Sequence, residues 1–214
     1  MELQIQIQNV TLLGDLNIPD KAVSLVIFAQ GGGSSRFSPR NRFVAEELNK
    51  RGLATLLFDL LTEEEGEKKE IRFNIELLME RLIGVTKWCM EQEETKELKM
   101  GYFGAGTGSA AALSAAAYWG TKIGAVVSWG GRPDLAMDEL DLIEAPTLLI
   151  VGGNDKEIID QNRKAYVKIG CIKKMETVVG ATHLFEEPGA LEKVVNLAGE
   201  WFGKHMEQKD KIVL

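Results

Sequence analysis

The sequence predicts an α/β fold: an open, doubly wound, mostly parallel sheet with helices on both faces and an antiparallel hairpin at its N-terminal edge. Three observations carry this expectation. Short, nearly unbroken apolar runs, among them Val23 to Ala29, Leu53 to Phe58, Ile123 to Trp129 and Pro146 to Gly152, have the character of strands covered on both faces. Stretches of helical periodicity lie between them, and repeated β-α alternation builds parallel sheets through right-handed crossovers. Glu2 to Gln8 instead alternates strictly, with Leu3, Ile5 and Ile7 against Gln4, Gln6 and Gln8, and Thr11 to Ile18 follows before Pro19-Asp20. That pair reads as a half-buried hairpin.

The remaining elements follow from the same periodicities. Asn41 to Arg51 places Phe43, Val44 and Leu48 at helical spacing and stops at Gly52. The acidic stretch Thr62 to Glu70 reads as a solvated loop, and Ile71 to Met90 as an amphipathic helix with Ile75, Leu78, Leu82 and Val85 on one stripe. Then come a strand Leu98 to Phe103, a small-residue helix Thr107 to Trp119 and the strand Ile123 to Trp129. A short helical or irregular piece through Leu142, the strand Pro146 to Gly152 and a helix near Glu157 to Ile169 continue the series, and a strand Lys173 to Val178 and a helix from Pro188 to about Met206 complete it. With no internal repeat or linker, the 214 residues are expected to form a single domain over 1–214.

Composition narrows the function classes. The chain is 45% hydrophobic and 27% charged with a net charge of -7, and its Lys and Arg residues are interleaved with Asp and Glu, so no nucleic-acid partner is expected. The N-terminus lacks the basic and apolar regions of a signal peptide, and no apolar run reaches the ~20 residues of a membrane helix. The expectation is a cytoplasmic protein with no membrane partner. Cys89 and Cys171 stand apart without metal-type spacing and read as reduced thiols, so neither a metal nor another cofactor is expected.

In open α/β sheets ligands bind beyond the carboxyl ends of the strands. There, Gly104-Ala105-Gly106-Thr107-Gly108 joins a strand to an alanine-rich helix. This is the setting of the nucleophile elbow G-x-S-x-G, with Gly106 at the central position. The same G-A-G-T-G run also suits a glycine-rich turn that cradles a phosphate, as in dinucleotide folds. Downstream, Asp155 closes one apolar strand and His183 follows the last, giving the chain order elbow, acid, base. Such an acid orients the imidazole, and the imidazole takes a proton from the nucleophile. His205, the one other histidine, lies in a polar helix end and reads as solvated. The loop Gln30 to Ser35 follows the first core strand; Gly31 and Gly32 are candidates for the backbone donor that completes an oxyanion hole with the Thr107 N–H.

These passages resemble the dienelactone-hydrolase-like branch of the α/β-hydrolases over almost the whole chain. The resemblance runs through Leu13 to Pro19, Val26 to Arg42, Gly52 to Leu61, Gly101 to Ala112, Gly131 to Leu135, Ala145 to Asp155 and Gly180 to Ala190. It implies an α/β-hydrolase fold and a small-molecule ester, lactone or carbonyl ligand, handled by a monomer or small homo-oligomer. It also implies serine where this chain has Gly106, and often His-Gly where it has Gln30-Gly31. Phe37 and Trp129 are bulkier than the resemblance implies. Departures clustered at the crevice suggest a re-engineered pocket. The expected site is then a His183-Asp155 dyad acting as general base or nucleophilic histidine, with Gln30 as polar partner and Phe37, Trp129 and Met137 as walls. Glycine offers no nucleophile, so ordinary serine hydrolysis is not expected. The alternatives are a catalytically silent binding protein that keeps the pocket, and a nucleotide binder, the latter opposed by the lack of an acidic ribose-binding residue about twenty residues past the turn.

Overall fold

The computed structural model describes residues 2–31 and 33–207. Eight strands form one sheet: β1 (Glu2–Ile7), β2 (Val10–Asn17), β3 (Ser24–Ala29), β4 (Ala54–Phe58), β5 (Lys99–Ala105), β6 (Ile123–Trp129), β7 (Thr147–Gly152) and β8 (Lys173–Val178). Their order is β1-β2-β4-β3-β5-β6-β7-β8. β1 pairs antiparallel with β2, and β2 antiparallel with β4; every other pairing is parallel. The helices are α1 (Pro39–Lys50), α2 (Glu63–Glu67), α3 (Lys69–Arg72), α4 (Ile75–Glu91), α5 (Thr107–Trp119), α6 (Lys156–Lys168) and α7 (Ala190–Met206). Short 3₁₀ turns cover Gly120–Lys122, Pro133–Ala136 and Leu140–Leu142.

The unbroken apolar runs resolve into two cores because strand side chains alternate between faces. In β3, Leu25, Ile27 and Ala29 join the cluster that includes α4, α5 and α6, while Val26 and Phe28 join the one beneath α1 and α7. β4 divides in the same way, with Leu56 and Phe58 on the first side and Leu57 on the second. Helices on both faces are thus a requirement of strands with no polar side.

Three stretches differ from the sequence expectation. The acidic segment expected as a loop contains α2 and α3, because Thr62 and Glu65 form a capping box: the Thr62 hydroxyl accepts from the Glu65 N–H, and the Glu65 carboxylate accepts from the Thr62 N–H. The helix expected from Ile71 begins at Ile75, since the Asn74 side chain caps it by accepting from the Leu77 N–H at 3.1 Å. The last helix starts at Ala190 because Gly189, at φ +78°, interrupts the backbone before it.

α5 lies unusually close to the sheet. A Cβ at Gly104 would come 2.6 Å from the Ser109 Cα, and one at Gly108 would overlap the Ala29 carbonyl oxygen. Alanines along the inner side of α5 keep this contact tight, and nine of its residues are buried.

Two outcomes are expected. Gly108→Ala should destabilise the fold by roughly 1–3 kcal/mol through overpacking against backbone, read by urea unfolding. The second concerns Glu65, which pairs with Arg81 at 2.8 Å. Burial raises its carboxyl pKa, but the Thr62 N–H and Arg81 outweigh that and hold it below 4.5. Its stabilisation is therefore complete above the unfolded value and is lost as pH falls through the folded one. The melting temperature of Glu65→Gln should lie below that of the parent at pH 7, and the gap should close as pH falls through the folded carboxyl's range.

Candidate active site

The crevice beyond the strands is built from four turns. At the end of β5, Gly106 holds φ +56° and ψ -126°, a left-handed conformation that L side chains adopt only with strain. Its carbonyl accepts from the Ser109 N–H (3.2 Å), the Ser109 hydroxyl (2.9 Å) and the Arg132 N–H (3.1 Å), so the turn is clamped from both α5 and the loop after β6. A Cβ at Gly106 would meet nothing within 4 Å. The backbone thus has the sharp strand-to-helix turn of an elbow, aimed at open space.

The loop after β3 comes up beside it. A Cβ at Gly31 would stand 3.0 Å from the Thr107 hydroxyl and 3.4 Å from the Thr107 nitrogen, so the Gly31 backbone and the first amide of α5 adjoin one small space. The N-terminus of α5 also lends that space a partial positive charge. Gly32 lies outside the described residues.

Asp155 and His183 lie near one another. Asp155 caps α6, its Oδ1 accepting from the Ile158 N–H at 3.2 Å, while its Oδ2 stands 3.7 Å from His183 Nδ1. The carboxylate is mostly sheltered, whereas the imidazole is 61% exposed. The His183 carbonyl abuts Gly130, two residues before Arg132, the residue that clamps the elbow. Two residues past His183, Phe185 is buried at φ +53° and packs edge-on against Trp129 with ring centroids 5.6 Å apart. A bulky residue in that conformation is costly unless its surroundings enforce it.

Other expected site residues are placed differently. Gln30 is buried with both ends of its amide engaged: Nε2 donates to the Phe58 carbonyl at 2.9 Å, and Oε1 accepts from Asn41 at 2.6 Å and from Ser34 at 3.4 Å. Burial requires those partners, which corrects its expected role as a catalytic polar contact. Phe37, Trp129 and Met137 do not form one wall. Trp129 ends β6 inside the core beneath α7, whereas Met137 packs on the opposite core. Phe37 is 55% exposed and lies against the Arg36 guanidinium at 4.3 Å, on the lip of a cleft of about 620 Å³.

That cleft lies over the ends of β3 and β4 and reaches Gly31 at one end and α3 at the other. Its floor holds a feature that the sequence reading passed over. Arg36, buried, pairs with Asp59 at 2.8 Å, Glu2 at 3.0 Å and Asp15 at 3.4 Å, and its own N–H donates to Asp59. Burial alone would lower its pKa, but the hydrogen bond and charge of Asp59, with Asp15 and Glu2, raise it further. Arg36 and Asp59 both sit just after apolar runs, but residue types alone do not pair them. Cys89 is buried, which pushes its thiol up to about 12, and it takes no part in the crevice.

Comparison with known proteins agrees with this fold. The dienelactone hydrolase family matches residues 14–204. A crystal structure of a dienelactone hydrolase from Anabaena variabilis is 50% identical, covering 97% of this chain and 98% of that one, with a TM-score of 0.95. Est1E from Butyrivibrio proteoclasticus shares the fold, with a TM-score of 0.81 at 17% identity, covering 95% of this chain and 98% of that one. Two Mycobacterium tuberculosis proteins, which carry the provisional name phosphoribosyl transferase, are 52% identical over 205 residues. That alignment takes in 96% of this chain but 46% of theirs, so the chain spans about half the length of those relatives. On the matched span and the sheet order, the chain belongs to the dienelactone hydrolase family.

Proposed function

We propose that this protein acts on a small ester, lactone or related carbonyl compound in one displacement, with His183 as general base and no acyl-enzyme. The observation that carries the reading is the elbow at Gly106, clamped in its turn beside Gly31 and Thr107 but without a side chain to attack with. His183 takes a proton from water, and the hydroxide adds to the carbonyl carbon. The oxyanion forms against the Thr107 amide and the Gly31 loop, where backbone donors stabilise developing charge. Collapse expels the alkoxide, which takes the proton back from His183. Asp155 stabilises the imidazolium between those steps. Gln30 keeps the oxyanion loop on Phe58 and Asn41 and takes no proton.

We read Gly106 as a replacement of the serine expected at the elbow and the pocket as re-engineered around the dyad, because the scaffold on every side of the turn is intact. The reading includes action in the cytoplasm as a monomer or small homo-oligomer; no described helix is long and apolar enough to cross a membrane. A second reading, a binding protein that holds such a ligand without turnover, is favoured by the 3.7 Å between His183 and Asp155, longer than a hydrogen bond.

Two substitutions test the reading with a chromogenic acyl ester. Gly106→Ser should introduce burst kinetics, labelling by a serine-directed phosphonate, and a rise in kcat on the order of 10³ or more, since a triad nucleophile is worth about 10⁶. His183→Ala should abolish the basal turnover of the parent, leaving its melting temperature unchanged. Basal turnover that survives His183→Ala overturns the general-base assignment; ligand-induced stabilisation of the parent without any turnover supports the binding protein.

A further inference from the structure

We propose that β8 is the interface for a second copy of this chain: two β8 strands pair antiparallel about a two-fold axis at Met175, and the sheets of both copies join there. Such a dimer does not depend on the chemistry of the crevice.

β8 ends the sheet. Among the described residues it pairs only with β7, in parallel, with Thr147 beside Lys173 and Gly152 beside Val178. The Thr147 N–H donates to the Ile172 carbonyl at 2.8 Å, and the Gly153 N–H to the Val178 carbonyl at 2.9 Å. Because backbone groups alternate in direction along a strand, Lys174 and Glu176 turn theirs inward to β7 with Ile172 and Val178, and Lys173, Met175 and Thr177 turn theirs outward. An outward row of donors and acceptors is a template for another strand.

The charges of the strand select one register. An antiparallel pair must match outward groups with outward groups, which near the middle of β8 leaves symmetric pairings about Lys174, Met175 or Glu176. The first sets Lys174 against Lys174, and the last sets Glu176 against Glu176. About Met175, each Lys174 instead faces Glu176 of the other copy, and Lys173 faces Thr177. Opposite charges directly across two strands stabilise the pair, and like charges oppose it. Lys174 and Glu176 also pair within one chain at 2.6 Å, so the dimer lines up alternating charges across its axis.

Lysines on an edge strand ordinarily guard it against pairing. Here Lys173 folds back on its own chain, its Nζ donating to the Ile169 carbonyl at 2.6 Å and lying 4.7 Å from the Tyr166 ring centroid, while Lys174 is matched by Glu176. Apolar side chains bracket the strand. Val179, directly after it, is 83% exposed, the most of any large apolar residue described, and Ile172, directly before it, is 63% exposed. The Met175 register sets Ile172 of one copy opposite Val178 and next to Val179 of the other, so both ends gain apolar cover.

Sedimentation equilibrium of the full chain should show a reversible dimer at about 100 μM. Lys174→Glu should raise the dissociation constant about tenfold or more, since each Glu176 then meets a carboxylate across the axis, and adding Glu176→Lys should return it close to the parent's. Thr177→Pro deletes an outward N–H and no bond to β7, so it should leave the chain monomeric with unchanged circular dichroism. A parent that stays monomeric at that concentration overturns the proposal. So does a dimer that Thr177→Pro and Lys174→Glu leave equally tight, or a doubly substituted chain no tighter than Lys174→Glu. Turnover, and its loss in His183→Ala, is a separate measurement that none of these results decides.

Discussion

The close seating of α5 on the sheet governs everything above it. Gly104 and Gly108 let the helix backbone settle against β5 and β3 where any Cβ would collide with Ser109 or Ala29. That approach forces the chain to turn sharply at Gly106. It also brings the first amide of α5 level with the loop leaving β3, so the packing of one helix creates both the elbow and the small space between Gly31 and Thr107. The twin cores on either face then fix the sheet against which the helix rests.

The two halves of the crevice are built to different standards. On the elbow side every group is backbone, clamped by Ser109 and Arg132 and sheltered by α5. On the histidine side the imidazole is largely in solvent, and its order derives from what lies beneath: Phe185 pressed onto Trp129, the Thr182 amide held by Glu187, and Arg40 on the Leu184 carbonyl. The elbow side is thus held through backbone groups, and the histidine side is a loop fixed by several separate contacts.

Much of this was legible in the sequence, for identifiable reasons. The bounds of α5 and β6 follow directly from an unbroken apolar run and from alanines flanked by glycine, patterns whose meaning is local. The order Gly106, Asp155, His183 was equally legible, because each follows a strand end. The pocket walls were not. Whether Trp129 faces the crevice or the core depends on which face of β6 it falls on, and Met137 packs on the opposite core. Gln30 looked like a site residue because it follows a strand; that its amide is taken up by Phe58 and Asn41 depends on long-range packing. The capping box at Thr62 and Glu65 was readable, but the run of acidic residues around it obscured the helix start.

Arg36 ties together parts of the chain that have little else in common. One guanidinium grips Glu2 on the outermost strand, Asp15 on its partner and Asp59 at the end of β4, while its own segment continues from the Gly31 loop. The sheet edge is therefore wired by charge to the space beside the elbow. Sequence attached ahead of β1, whether a tag or a natural neighbouring module, would bear on Glu2 first. Through Glu2 and Arg36 such a segment would adjoin the ion cluster on the floor of the cleft.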